Sequence, residues 1–390
     1  MPRLHILVFS LAYRPYVGGA EIALEEIMRR LPQYFFTVVT ARAMKNFDYV
    51  KLPDIEEKDN VRVVRVGSRN RYLGQYAYPL AALKHAYREA RFSKPACVWG
   101  MLESYGGIAA ALYHQRFPNM PYILTMQSGD SESFWGWRTW FWQPLYKKVF
   151  SQANAIQAIS KYLAERAKKY GARGEIRIIP NGVDSVFFER ISDEERRRLR
   201  QELGLSDDET VVITASRLVS KNGIDTLIKG FSVWRQRGGN GVLLILGKGP
   251  QETELRKLSY KLGINTQVKF LGEIPYQELP KYYGAADIFI RPSRSEGLGN
   301  AFLEAMASGI PVIGTPVGGI PDFLTHERTG LMVPPDDPEA LKDSIARLCS
   351  NPELKQKLIQ EARKLALEKY SWDVVAHAMN NLFQNYVKIS

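Results

Sequence analysis

Cysteine is nearly missing from this chain: Cys97 and Cys349 are the only two among 390 residues. No disulfide framework and no cysteine-based zinc cluster can be built from them, which suits a reducing cytoplasm. Histidine is scarce too, with five in all, and none falls in a glycine-rich loop that follows a strand. Chemistry that relies on several histidines to move protons is therefore disfavoured. Long apolar runs are also absent. The run that begins at Leu4 is interrupted at Arg14 and carries no cleavage site, so it reads as a buried strand rather than a membrane span or signal peptide. There is no internal repeat, no low-complexity tract and no G-x-G-x-x-G dinucleotide fingerprint.

What is present is enough apolar sequence for two cores. Hydrophobic residues make up 45% of a chain too long for one typical core, and two domains of nearly two hundred residues each are expected. The formal charge of +12 is uneven. Residues 1–185 hold 26 Lys and Arg against 15 Asp and Glu, giving +11, while the remainder holds 27 against 26, giving +1. An excess confined to one half points to an anionic neighbour such as a membrane surface, a lipid-linked phosphate or nucleic acid, and equally to a basic surface that only aids solubility.

Short apolar or β-branched runs alternate with helical segments along both halves. Strands are predicted near Leu4–Phe9, Phe36–Thr40, Val61–Val66, Ala96–Trp99, Tyr122–Met126 and Ala155–Ala158, then near Val211–Ala215, Val242–Leu246, Val268–Leu271, Ile288–Arg291 and Val312–Gly314. Continuous apolar runs such as Val242 to Leu246 are buried on both faces, so each half is expected to be a doubly wound parallel α/β domain. The alternation breaks at Ile179-Pro180-Asn181-Gly182-Val183-Asp184. This places one domain over 1–182, a second over 183–370 and a last helix over 371–390. The charge run from Asp193 to Arg200 reads as the solvated face of a helix.

The glycines cluster where strands end. Gly18 and Gly19 follow the first strand, where backbone amides can approach a ligand closely. Arg217 and Lys221, four apart after the first strand of the second half, offer a planar fork and a point charge suited to the two phosphates of a diphosphate. Lys248, in Gly-Lys-Gly-Pro, and Glu273 with Ile274 follow the next two strands. The densest stretch runs from Arg291 to Pro321. There Glu296 and Glu304 flank Gly297-Leu298-Gly299-Asn300, so a loop should feed a helix whose first N–H groups are free for phosphate or sugar. Glu304 falls among Phe302, Leu303, Ala305 and Met306, where a carboxylate needs hydrogen-bond donors such as vicinal hydroxyls. In the first half, Trp135, Trp137, Trp140 and Trp142 are four of the seven tryptophans. Beside Arg138, Lys147 and Lys148 they suit a membrane interface or a sugar-stacking platform, and equally a packed core.

With these residues in view, the chain resembles the retaining glycosyltransferases of the GT-B fold, family 4 (group 1) type. The motifs that carry the likeness are IPNGVD, SRLVSKNG, LGKGP, VKFLGEIP and the two-glutamate stretch ending in FLEAMASGIPVI, and their order covers nearly the whole chain. The resemblance implies two Rossmann-like domains facing a central cleft, with the last helix returning to the first domain. It also implies a nucleoside diphosphate sugar as co-substrate, with no metal or other cofactor required. Arg217 and Lys221 would meet the diphosphate, Glu296 the donor sugar and Glu304 the ribose. Gly18, Gly19, Lys248, Glu273, Ile274, Gly297, Leu298, Gly299 and Asn300 would complete the donor site.

One motif departs from the family. Many relatives carry His near the position of Gln127, and Gln127 can orient a hydroxyl but cannot act as a base. Asp130 is a polar candidate nearby, or else a cap for a following helix. Gln127, Asp130, Trp137 and Trp140 are thus the acceptor-binding candidates. The expected activity is transfer of a hexose-type unit to the hydroxyl of a glycan or lipid-linked acceptor, as in surface polysaccharide synthesis, by a cytoplasmic enzyme in peripheral contact with the membrane. A GT-B-like nucleotide-sugar epimerase is the alternative enzyme class. Nucleic-acid binding is disfavoured because half the chain is nearly neutral and carries no recognised binding module.

Overall fold

A computed structural model describes residues 3–16, 18–44, 47–48, 52–70, 72–90, 94–130, 143–184, 186–189 and 191–387. The chain divides into two compact units, residues 1–181 with 372–390, and residues 182–371.

The strands of the first unit are β1 (Leu4–Phe9), β2 (Tyr34–Ala41), β3 (Ala43–Met44), β4 (Phe47–Asp48), β5 (Ile55–Lys58), β6 (Val61–Val66), β7 (Cys97–Met101), β8 (Tyr122–Met126), β9 (Ala155–Ala158) and β10 (Glu175–Ile178). Eight of them form one sheet in the order β10-β9-β8-β7-β1-β2-β6-β5. Apolar runs such as Ile6 to Phe9 are buried on both faces, which only a sheet covered on both sides allows. All neighbours are parallel except β5, which pairs antiparallel with β6. This antiparallel edge strand was not among those predicted. The sequence Ile-Glu-Glu-Lys is short, charged and largely exposed, as an edge strand should be, and for that reason it does not read as a strand. β10 was likewise not predicted. β3 and β4 form a separate short antiparallel pair.

The final helix, Trp372–Tyr386, lays Trp372, Met379 and Phe383 into the core that β1, β2, β7 and helix Gly19–Arg30 share. Phe383 meets Trp99 edge-on at 5.2 Å between ring centres. That apolar face is what assigns the helix to the first unit.

The second unit holds β11 (Thr210–Ala215), β12 (Gly241–Leu246), β13 (Val268–Gly272), β14 (Ile288–Arg291), β15 (Val312–Gly314) and β16 (Leu331–Met332). They form a wholly parallel sheet in the order β13-β12-β11-β14-β15-β16. Counted within the unit this is 3-2-1-4-5-6, the doubly wound arrangement whose strand order reverses between the first and fourth strands. Leu227 and Phe231 of helix Ile224–Gln236 and Ile345 of helix Pro338–Ser350 pack with Leu243 and Ile245 of β12 in one core.

The charge run in helix Asp193–Glu202 is more than a solvated face. Arg196 and Arg200 both pair with Asp287 and also donate to the carbonyls of Gly284, Ala285 and Ala286. Their spacing of four residues aims both guanidinium groups at the turn before β14. Among the described residues no helix is long and apolar enough to cross a membrane.

Candidate active site

In an open parallel sheet, ligands bind outside the carboxyl ends of the strands, at the point where the order reverses. In the second unit that point lies between β11 and β14. Both strands end in polar loops: Ser216 to Val219 leads into a short 3₁₀ turn, Ser220–Asn222, and Pro292 to Gly299 leads into helix Asn300–Ala307.

These loops are bonded to one another through their backbones. Leu218 N donates to Lys248 O (3.0 Å), Gly247 N to Gly272 O (2.6 Å), Arg294 N to Lys221 O (2.7 Å) and Gly319 N to Glu296 O (3.2 Å). Hence the loops after β11, β12, β13, β14 and β15 make one array. Gly318 makes the last contact possible: it sits at φ +56°, and a Cβ there would lie 1.8 Å from Glu296 O. Arg217, Lys221, Lys248, Glu273, Ile274 and the Glu296–Asn300 turn are thereby held along the same end of the sheet. Arg217 and Lys248 are exposed and Lys221 is half-buried, so the two sides of the array that carry them present cations to solvent. Asn222 Nδ2 donates to Arg217 O (2.7 Å) and steadies the turn between Arg217 and Lys221.

The two glutamates differ in environment. Glu296 accepts from Arg291 Nη2 (2.6 Å) and from its own neighbour Gly297 N (3.1 Å), so its carboxylate is fixed in place at the loop. Arg291 lies at the end of β14 with its guanidinium 5.1 Å from the Phe302 ring centre. Glu304 is buried and accepts one hydrogen bond, from Tyr283 Oη (3.0 Å). Burial pushes its carboxyl up to about 7, against the smaller opposing effects of Tyr283 and Arg291. Helix Asn300–Ala307 begins after Gly299, at φ +105°, with no side-chain cap. Phe302 N donates to Gly299 O (2.9 Å) across this turn.

Sequence reasoning did not single out Tyr283, Arg291, Ser216 or Ser293. The hydroxyls of Ser216 and Ser293 and Arg291 Nε are buried without a hydrogen-bond partner among the described residues. Arg291 had a signal, as a lone charge closing an apolar strand. Tyr283 had none, since its partner stands 21 residues away.

In the first unit the strand order reverses between β1 and β7. Gly18 precedes helix Gly19–Arg30 beyond the end of β1, and Gly19 is its first residue. Gln127 and Asp130 share the loop after β8. Gln127 Oε1 accepts from Asn181 Nδ2 (3.1 Å), while Gln127 Nε2 is buried without a partner among the described residues. Arg166 Nη1 donates to the carbonyls of Ser128 (3.1 Å) and Asp130 (3.2 Å), and Arg166 Nη2 lies 3.2 Å from Glu103. Glu103 is wholly buried just past β7, and burial raises its carboxyl above the usual range, partly offset by Arg166. Neither Glu103 nor Arg166 was predicted. Trp137 and Trp140 lie outside the described residues. Among those described, no three His, Cys, Asp or Glu side chains are grouped so that they could hold a metal ion.

Comparison with known proteins adds the following. The family described as glycosyl transferases group 1 matches residues 195–365, and that described as glycosyltransferase family 4 matches residues 17–187. The chain is 34% identical over 242 residues to an uncharacterized glycosyltransferase of Methanocaldococcus jannaschii, covering 61% of this chain and 62% of that one. It is 32% identical over 247 residues to the GDP-mannose-dependent monoacylated alpha-(1-6)-phosphatidylinositol monomannoside mannosyltransferase of Corynebacterium glutamicum, covering 61% and 64%. The matches thus span about three-fifths of the length of these relatives. Among solved structures, sucrose-phosphate synthase from Thermosynechococcus elongatus has a TM-score of 0.83 at 23% identity, covering 98% of this chain and 99% of that one. HepE of Anabaena, in complex with UDP and glucose, has a TM-score of 0.81 at 20% identity, covering 98% and 100%. At these identities the likeness shows the fold.

Proposed function

From the premise that this chain belongs to the group 1 glycosyltransferases of the GT-B fold, we propose that it moves a hexose from a nucleoside diphosphate sugar to an acceptor hydroxyl with retention of configuration. The observation that carries this reading is the pair of glutamates at the reversal point of the second sheet. Glu296 is paired with Arg291, and Glu304 is buried with Tyr283 as its hydrogen-bond donor. Ribose hydroxyls donating to Glu304 would offset the cost of enclosing that carboxyl. Glu296 would hold hydroxyls of the sugar.

Arg217 and Lys221 are assigned to the diphosphate, whose negative charge grows as the bond to the sugar breaks. Stabilising that charge is the main catalytic work of the site. Lys248, Glu273 and Ile274 line the place of the base, and the N–H groups around Leu298, Gly299 and Asn300 that of the sugar and phosphate. In this reading the departing phosphate takes the acceptor proton, and no metal ion takes part in donor binding. Gln127 and Asp130 are candidates to orient the acceptor. Gly18 and Gly19 are the first unit's candidates for backbone contact with a phosphate or sugar. The acceptor class is a glycan or lipid-linked saccharide, by analogy with the phosphatidylinositol mannoside acceptor in the name of the Corynebacterium relative.

Thermal unfolding against a panel of GDP-, UDP- and ADP-sugars tests the donor site, because a ligand bound only by the folded protein raises its melting point. GDP-mannose heads the panel on the strength of that relative's name. Stabilisation by one donor, with loss of the effect in Glu304→Ala, is the expected outcome. No shift with any nucleotide sugar would overturn the assignment.

A further inference from the structure

One face of the first unit has no part in the proposed chemistry. Helix Gly74–Glu89 turns Tyr78, Ala82, Leu83 and Ala86 inward against β2, β6 and helix Tyr105–Arg116. Leu73, just before it, and Tyr76, Leu80, Lys84, Tyr87 and Arg88 are exposed on the opposite side. Steps of three and four residues keep them in a single stripe. Eleven large apolar or aromatic side chains are exposed among the described residues, and five lie between Tyr72 and Tyr87; Leu73 and Leu80 are 59% and 61% exposed. Isolated, such residues would need no explanation, but a continuous stripe does.

Charge decides what covers it. The helix holds one acid, Glu89 at its last position, and Arg62 approaches that carboxylate at 3.3 Å. On the stripe itself Lys84 and Arg88 follow Leu80 at successive helical turns. Exposed Arg116 stacks over Phe117, whose ring meets Tyr87 at 6.0 Å between centres. The face is therefore apolar over its first turns and basic over its last, with an exposed tyrosine in each part. That composition suits a helix lying in the plane of an anionic bilayer interface, where aromatic rings sit at headgroup level and mobile lipids supply the counter-charge. The excess of +11 over residues 1–185 acts in the same sense.

We propose that helix Gly74–Glu89 docks this protein on an anionic membrane, with Leu73, Tyr76 and Leu80 set into the interface and Lys84, Arg88 and Arg116 on lipid phosphates. The docking relies on the glycosyl-transfer reading only for its purpose, the delivery of sugar to an acceptor held at a membrane. Flotation of the full chain with vesicles needs no donor, so the two readings fail separately.

The wild type is expected to float with vesicles containing phosphatidylglycerol, and at least roughly tenfold less with phosphatidylcholine alone or in high salt. Tyr76→Ser with Leu80→Ser, and separately Lys84→Glu with Arg88→Glu, should each lower the floating fraction at least roughly tenfold while unfolding stays as in the wild type. On the unmodified chain, anionic vesicles should slow amide exchange over residues 73–88. A wild type that stays unbound, variants that float equally well, or exchange unchanged by vesicles would each overturn the proposal. So would sedimentation showing that the stripe instead joins two copies of the chain, with the same substitutions giving monomers.

Discussion

A carboxyl enclosed as deeply as Glu304 has a protonation state that both folding and ligand feel. Its value of about 7 in the folded chain lies above the ordinary carboxylate range, because burial disfavours the charge. Between the unfolded value and about 7 the folded state holds the extra proton, so the contribution of Glu304 to stability is largest below that window and is lost as pH rises through it. Donor affinity should run the opposite way, since the ionised form accepts stronger hydrogen bonds from ribose hydroxyls. Calorimetric titration of the donor is expected to show affinity rising several-fold from pH 6 to pH 8, and Glu304→Gln should flatten that dependence. A wild-type profile equally flat would refute the ribose assignment. Lys221→Ala should lower turnover roughly 10²-fold or more with little change in unfolding; steady-state rates of the purified variant decide it. The candidate residues Glu296, Glu304, Arg217 and Lys221 could be picked from sequence because each stands at a fixed offset from a strand end or glycine. Tyr283 and Glu103 could not, because each matters through a partner that only folding brings near.

Elements read most clearly where one signal dominates. Helix Asn300–Ala307 lies where Gly297 and Gly299 and the following helix formers place it. β5 was missed because an exposed edge strand need not be apolar, and β16 because two residues carry no period. The Asp193–Arg200 run is a helix exposed over most of its length, but charge density alone does not reveal that two of its arginines point at Asp287. At the glycine turns the backbone approach itself is the constraint. Gly318→Ala would put a Cβ against Glu296 O in a left-handed conformation and is expected to destabilise the protein by at least about 1 kcal/mol, read from urea unfolding. It should also weaken donor binding, because Gly319 N bonds to the same carbonyl.

At the scale of the molecule, two parallel-sheet units each place their described candidate residues in loops past the carboxyl ends of strands, and chemistry distributed over several loops survives only if those loops are fixed together. If cations and helix N–H groups alone hold the diphosphate, chelation with EDTA should leave turnover of the purified enzyme unchanged; loss of activity restored by a divalent ion would contradict that account. The amino-acid order by itself determined the alternation of buried strands and helices, the break near Asn181 and the glycine-bounded polar loops, because periodicity and backbone freedom are local properties. Tertiary structure alone decided the 3-2-1-4-5-6 order of the second sheet, the antiparallel edge of the first, the Tyr283 partner of Glu304 and the exposed stripe on helix Gly74–Glu89. Each of these depends on which distant segments meet, and burial, pairing and the cost of enclosing a charge arise only once they have met.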